Sequence, residues 1–226
     1  MKRQVVDLIG LVLILGGAVF ASEENVPALS IPAGTAPVLD GIVSAGEWDD
    51  ALALPLADDA ILHAKHADGF LYLGVKVQTG AQVVGNIHVA RDDTVTILHA
   101  SYALGPATYR LQSGGWRLEK PFVWSCRSLG LSSAALFERE MFLQANNWLA
   151  TIVLLGEASH MEYQIAIEEA PMRMLFRFDV HTDTQDVLTW PLDTVVGIEP
   201  GPLPQEAAFH PETWCDVRFE ECDLQP

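Results

Sequence analysis

Apolar side chains recur at every second position over much of this chain, a spacing that fits strands with one buried face and not long amphipathic helices. Leu71, Leu73, Val75 and Val77 fall on one side of a segment whose other side carries Phe70, Tyr72 and Lys76. Asp68-Gly69 stands just before it and supplies the positive φ angles of a tight turn, so Ala60 to Val77 is expected to be a hairpin. A second hairpin is expected to turn at Gly114-Gly115, with Tyr109 and Leu111 before it and Trp116 and Leu118 after it. Met161, Tyr163, Ile165 and Ile167 alternate with Glu162, Gln164 and Ala166, and Met172, Met174, Phe176 and Phe178 alternate with Arg173, Leu175, Arg177 and Asp179. One interval departs from this period. Ser132 or Ser133 can cap a helix from about Ala134 to Asn147, where Phe137, Met141 and Trp148 recur at helical intervals. Many short strands with turn signals between them and one short helix predict a mainly β chain folded as an antiparallel β-sandwich.

The length of 226 residues fits one domain. Thirteen Lys and Arg against thirty Asp and Glu give a formal charge of −17, which excludes a cationic footprint for nucleic acid and disfavours anionic membranes. Met1-Lys2-Arg3-Gln4, the mostly apolar run Val5 to Phe20 and then Ala21-Ser22-Glu23-Glu24 read as a secretory signal peptide, residues 1–21, cleaved after Ala21. The apolar run is too short to span a bilayer, so no membrane insertion is expected after cleavage. Residues 22–226 then form one sandwich domain, with its core over about 27–220, in a secreted or periplasmic protein. The three cysteines allow one disulfide; Cys215 with Cys222 is the favoured pair because the loop is short, and Cys126 is read as a buried thiol.

The stretch Ala36-Pro37-Val38-Leu39-Asp40-Gly41, followed by Gly46-Glu47-Trp48-Asp49-Asp50-Ala51, resembles the opening of family 9 carbohydrate-binding modules and their relatives in the DOMON-like superfamily. Leu71-Tyr72-Leu73-Gly74-Val75-Lys76-Val77 is similar to a strand of the same group, so the resemblance covers about forty residues. Independently of any family, Asp40-Gly41 reads as a turn, and Glu47-Trp48 opens an element in which the indole is buried structurally. The resemblance implies an immunoglobulin-like or jelly-roll sandwich, a glycan held between aromatic rings in some members, structural calcium in some, and haem ligated through Met with His or Lys in others.

A saccharide needs a flat aromatic face beside hydrogen-bonding groups. Trp124 and Trp190 are the first candidates for it, then Trp116 and Trp148, with Arg127 close to Trp124. For calcium, Asp92-Asp93 offers paired carboxylates at a turn. Met141, Met161, Met172 and Met174 are the methionines available to haem; Met172 and Met174 share a strand's apolar face and are read as core filling, and no cofactor is expected. The chain has no GxSxG elbow, HExxH helix or Gly-rich phosphate loop. The expected function is non-catalytic binding of carbohydrate or a similar polar ligand. The alternatives are haem-binding electron transfer and a structural cell-envelope domain with a protein partner.

Overall fold

The computed structural model describes residues 26–78, 80, 82–127, 132–168, 171–181 and 185–221. The expected signal segment and Cys222 lie outside the described residues. From the N-terminus the strands are β1 (Ala28–Ile31), β2 (Leu52–Ala57), β3 (Ala60–Ala67), β4 (Phe70–Gln78), β5 (Gln82–Arg91), β6 (Thr94–Ala100), β7 (Ala103–Gln112), β8 (Gly115–Lys120) and β9 (Cys126–Arg127). A helix, α1 (Ser133–Asn146), precedes β10 (Trp148–Leu155), β11 (Ala158–Ala166), β12 (Arg173–His181), β13 (Gln185–Trp190), β14 (Glu206–Ala207) and β15 (Cys215–Phe219). They make two sheets packed face to face as a β-sandwich. The smaller runs β10-β11-β4-β3-β2, and the larger runs β1-β15-β12-β5-β6-β7-β8-β14, with β13 beside β12 and β9 beside β7. The β1–β15 pair is parallel, and the other described strand pairs are antiparallel.

The period-two pattern sets which faces meet. Leu71, Leu73, Val75 and Val77 of β4 and Met161, Tyr163 and Ile165 of β11 are buried against Val83, Ile87 and Val89 of β5 and Met174, Phe176 and Phe178 of β12. Each large apolar side chain so removed from water contributes roughly 1.5–3 kcal/mol. Asp68 and Gly69 turn the first hairpin with φ of 50° and 80°, as expected. The second turns one residue earlier than expected, at Ser113-Gly114, and Gly115 begins β8 with φ 128°.

Helix α1 starts where the sequence placed it, with the Ser132 side chain accepting from the Ala135 amide at 3.2 Å. Its buried face is a correction. Phe137 and Met141 are 63% and 47% exposed, whereas Phe142 and the stem of Arg139 are buried. Phe142 packs edge to face on Trp148 at 5.2 Å, and Arg139 Nη2 donates to the Leu39 carbonyl, so contacts outside the helix decide its orientation.

Both sheets are also covered on their outer faces. Over the smaller sheet lies the segment that carries the Asp-Gly and Glu-Trp motif. Asp40 Oδ1 accepts from the Ile42 amide, Gly41 takes φ 90°, and the Gly41 amide donates to buried Glu162 Oε2 at 2.7 Å. Trp48 is buried over Gly74, where a Cβ would come within 2.7 Å of the indole. Lys65, fully buried, donates to Asp50 Oδ1 at 2.8 Å and to the Glu47 carbonyl, with its ammonium 5.1 Å from the Trp48 ring centroid. Glu47 Oε1 accepts from the Val38 amide. Asp40, Gly41, Glu47 and Trp48 therefore act structurally here.

Over the larger sheet runs the C-terminal segment. Phe209 and Trp214 form a second apolar cluster with Val95, Ile97, Tyr109, Trp116 and Leu175. Tyr109 Oη donates to the Pro204 carbonyl at 2.8 Å, and the Trp116 indole N–H donates to the Phe209 carbonyl at 3.1 Å. This cover stops short of the far ends of β5, β6 and β12, and a cleft remains there.

Candidate functional site

The cleft has a volume of about 500 Å³, within the range that holds small ligands. Its floor follows from strand register. Arg177 of β12 stands opposite Asn86 of β5, Asn86 opposite His99 of β6, and His99 opposite Gly105 of β7. Alternation points Arg177 and Asp179 outward while Phe176 and Phe178 point into the core.

The polar groups of the floor are joined in a chain. Arg177 Nε and Nη2 donate to Asp179 Oδ1 at 3.0 and 2.7 Å, and Nη1 donates to the Ile198 carbonyl at 3.1 Å. Arg177 and Asp179 are both buried, so each charge depends on the other for compensation. Asn86 Nδ2 donates to Asp179 Oδ2 at 2.8 Å, and Asn86 Oδ1 lies 2.8 Å from His99 Nδ1. Burial pushes His99 down to a pKa of about 4 against a smaller upward pull from Asp179, so the imidazole is neutral at pH 7.

One wall is aromatic. Phe122 and Trp124 stack at 5.0 Å with 25° between their planes, and His99 meets Phe122 at 5.1 Å and Trp124 at 4.9 Å. Trp124 is 53% exposed, so part of its ring is free to meet a ligand. The missing side chain of Gly105 makes room for this wall: a Cβ there would lie 2.8 Å from the Val123 carbonyl oxygen and 3.0 Å from Trp124 Cε3. The opposite wall is the segment 198–203, which includes Glu199, Pro200 and Pro202.

Of the residues singled out from the sequence, Trp124 lines this cleft. Trp190 does not: it is half-buried and packs against Phe176 on the core side of the sandwich at 6.1 Å. Trp116 and Trp148 were expected among the exposed aromatics but are buried, Trp116 under Phe209 and Trp148 between Phe142 and Tyr163. Arg127 is exposed on β9 beside a smaller hollow of about 360 Å³ on the other side of Trp124, lined also by Glu138. Asp92 takes φ 46° in the β5–β6 turn, and both oxygens of Asp93 accept from Arg110 Nη1 at 2.9 and 3.0 Å. Among the described residues no three His, Cys, Asp or Glu side chains are grouped to hold a metal ion. Cys126 and Cys215 are buried, and the Cys215 thiol donates to the Met174 carbonyl at 3.0 Å.

Asn86, His99, Arg177 and Asp179 were not picked out as a site. The Arg-x-Asp spacing inside an apolar strand was the available signal, because residues two apart share a face and an ionic pair there must have company.

The chain was compared with protein-family models, curated proteins and solved structures, and none of the three gave a match. Among the described residues no helix is long and apolar enough to cross a membrane.

Proposed function

We propose that this chain is a non-catalytic binding domain, exported by its N-terminal segment, whose cleft takes a carbohydrate or a similarly hydroxylated ligand. The observation that carries this reading is the half-exposed Trp124 ring standing as a wall beside the hydrogen-bonding floor of Asn86, His99 and Asp179. A pyranose has the same duality, an apolar C–H face and a hydroxylated edge. The resemblance of Ala36 to Val77 to family 9 carbohydrate-binding and DOMON-like domains supports the same class, although those residues form part of the smaller sheet and its cover, away from the cleft.

The test is titration of the purified protein with glucose, galactose, mannose, xylose and their short oligomers, followed by tryptophan fluorescence and calorimetry. Binding by the wild type that weakens about tenfold or more in Trp124→Ala, with Trp190→Ala unaffected, is the expected result. Saturable binding that Trp124→Ala leaves unchanged overturns the assignment of this cleft.

A further inference from the structure

We infer that His99 Nε2 is a hydrogen-bond acceptor held at a fixed point in the cleft floor, so that the cleft takes its ligand through an O–H or N–H donor there and discriminates against a carboxylate. The inference rests on the cleft being the ligand site. It follows from the direction of each hydrogen bond in the floor. The Asp179 carboxylate can only accept, and Arg177 occupies its Oδ1. The atom of Asn86 that lies 2.8 Å from Asp179 Oδ2 must therefore be the amide nitrogen, which turns Asn86 Oδ1 toward His99. An amide oxygen also only accepts, so the proton of the neutral imidazole sits on Nδ1. Nε2 is left with a lone pair, and among the described residues it has no hydrogen-bond partner.

The surroundings hold that state. The ring is packed between β5 and the Phe122–Trp124 wall, and burial disfavours its cation. The charged and titratable groups at the cleft are Arg177, Asp179 and His181 on β12 and Glu199 in the opposite wall; the aromatic wall contributes none. Arg177 is already directed at Asp179 and the Ile198 carbonyl. A ligand carboxylate at Nε2 would thus set lone pair against lone pair in a cleft whose arginine is already paired, whereas a hydroxyl finds an acceptor.

Two measurements test this. A long-range proton–nitrogen spectrum of the ¹⁵N-labelled protein, without ligand and between pH 5.5 and 8, should show His99 as one neutral tautomer with Nδ1 protonated and Nε2 bare. A protonated Nε2 overturns the inference whatever the ligand. The second compares glucose and galactose with glucuronate and galacturonate, on the wild type and on His99→Phe, which keeps the ring contacts and lacks the lone pair. Neutral sugars should bind at least tenfold tighter than the uronates to the wild type and about tenfold more weakly to His99→Phe. Equal binding of neutral sugars by both proteins overturns the inference while the saccharide reading stands. If the wild type binds none of the sugars, the saccharide reading falls, and the spectrum alone decides whether the floor presents a fixed acceptor.

Discussion

His99 and Trp124 meet edge to face at 4.9 Å, and that contact joins the hydrogen-bonding floor of the cleft to its aromatic wall. The imidazole is fixed on one side by Asn86 and on the other by the indole, so a ligand that stacks on Trp124 finds the floor acceptor at a constant position. Preorganisation of this kind lowers the ordering cost of binding.

The wall depends on Gly105, which does not itself line the cleft. Gly105→Val places a side chain where the Val123 carbonyl and the Trp124 ring now lie. It is expected to displace the wall and weaken saccharide binding about tenfold. The thermal midpoint should fall only slightly, because the segment it displaces is largely exposed. Titration and thermal unfolding of the same preparation check both halves.

Lys65 and Asp50 should respond unequally to removal. Lys65 is fully buried, while the Asp50 side chain is 39% exposed and can be hydrated when left alone. Burial raises the Asp50 pKa, but hydrogen bonds from Lys65 and the Thr35 amide outweigh it and hold the carboxyl below its usual value. Asp50→Ala leaves a buried ammonium with the Glu47 carbonyl and the Trp48 face, and should cost about 3 kcal/mol. Lys65→Met fills the space with an apolar side chain and should cost less. Urea unfolding of the two variants gives the order.

Two buried groups should tilt stability with pH in opposite directions. Burial, reinforced by Glu47 and Asp40, lifts Glu162 to about 7 against the Gly41 amide and Trp48, so the folded state holds a proton that the unfolded chain has lost. Its contribution is complete below about pH 4.5 and disappears as pH rises to about 7, by up to about 3 kcal/mol. Burial pushes His88 down to about 3, with Arg177 acting in the same direction against the Asn86 carbonyl. The folded state then stays neutral while the unfolded chain takes up a proton, and stability falls as pH drops below 6.5, by up to about 3 kcal/mol at pH 4. Between pH 4.5 and 6.5 the two nearly cancel. His99, also held neutral down to about 4, adds a second slope rising with pH, so Glu162→Gln should steepen the rise of stability over that range and His88→Leu should flatten it, both measured by urea unfolding against the wild type.

Ligand affinity should carry its own acid limb. His99 accepts only while neutral, and its folded pKa is about 4. Saccharide binding is expected to be flat from pH 8 to about 5 and to weaken as pH falls through 4, the limb being absent in His99→Phe. Calorimetry at matched ionic strength measures it.

The faces of β4, β11 and β12 could be read from the chain because each strand carries its own alternation, and the Ser132 cap because it is local. The buried side of α1 could not, since Arg139 and Phe142 turn inward for Leu39 and Trp148, partners distant in sequence. The site divides the same way. Trp124 stood out beside a Pro-marked segment, but Asn86, His99 and Arg177 become neighbours only through the register of three strands, which alternation within each strand leaves free. Trp116 and Trp148 show the converse limit: an indole is marked by the sequence, and its depth by the fold.

The parallel pairing of β1 with β15 has a consequence in time. Ala28–Ile31 lies at the edge of the larger sheet and hydrogen-bonds there to Cys215–Phe219, so a chain emerging N-terminus first carries an unmatched edge until nearly two hundred further residues have followed. Maturation of that edge is thereby deferred to the close of synthesis, and a half-made chain is a substrate for whatever guards unfinished polypeptides.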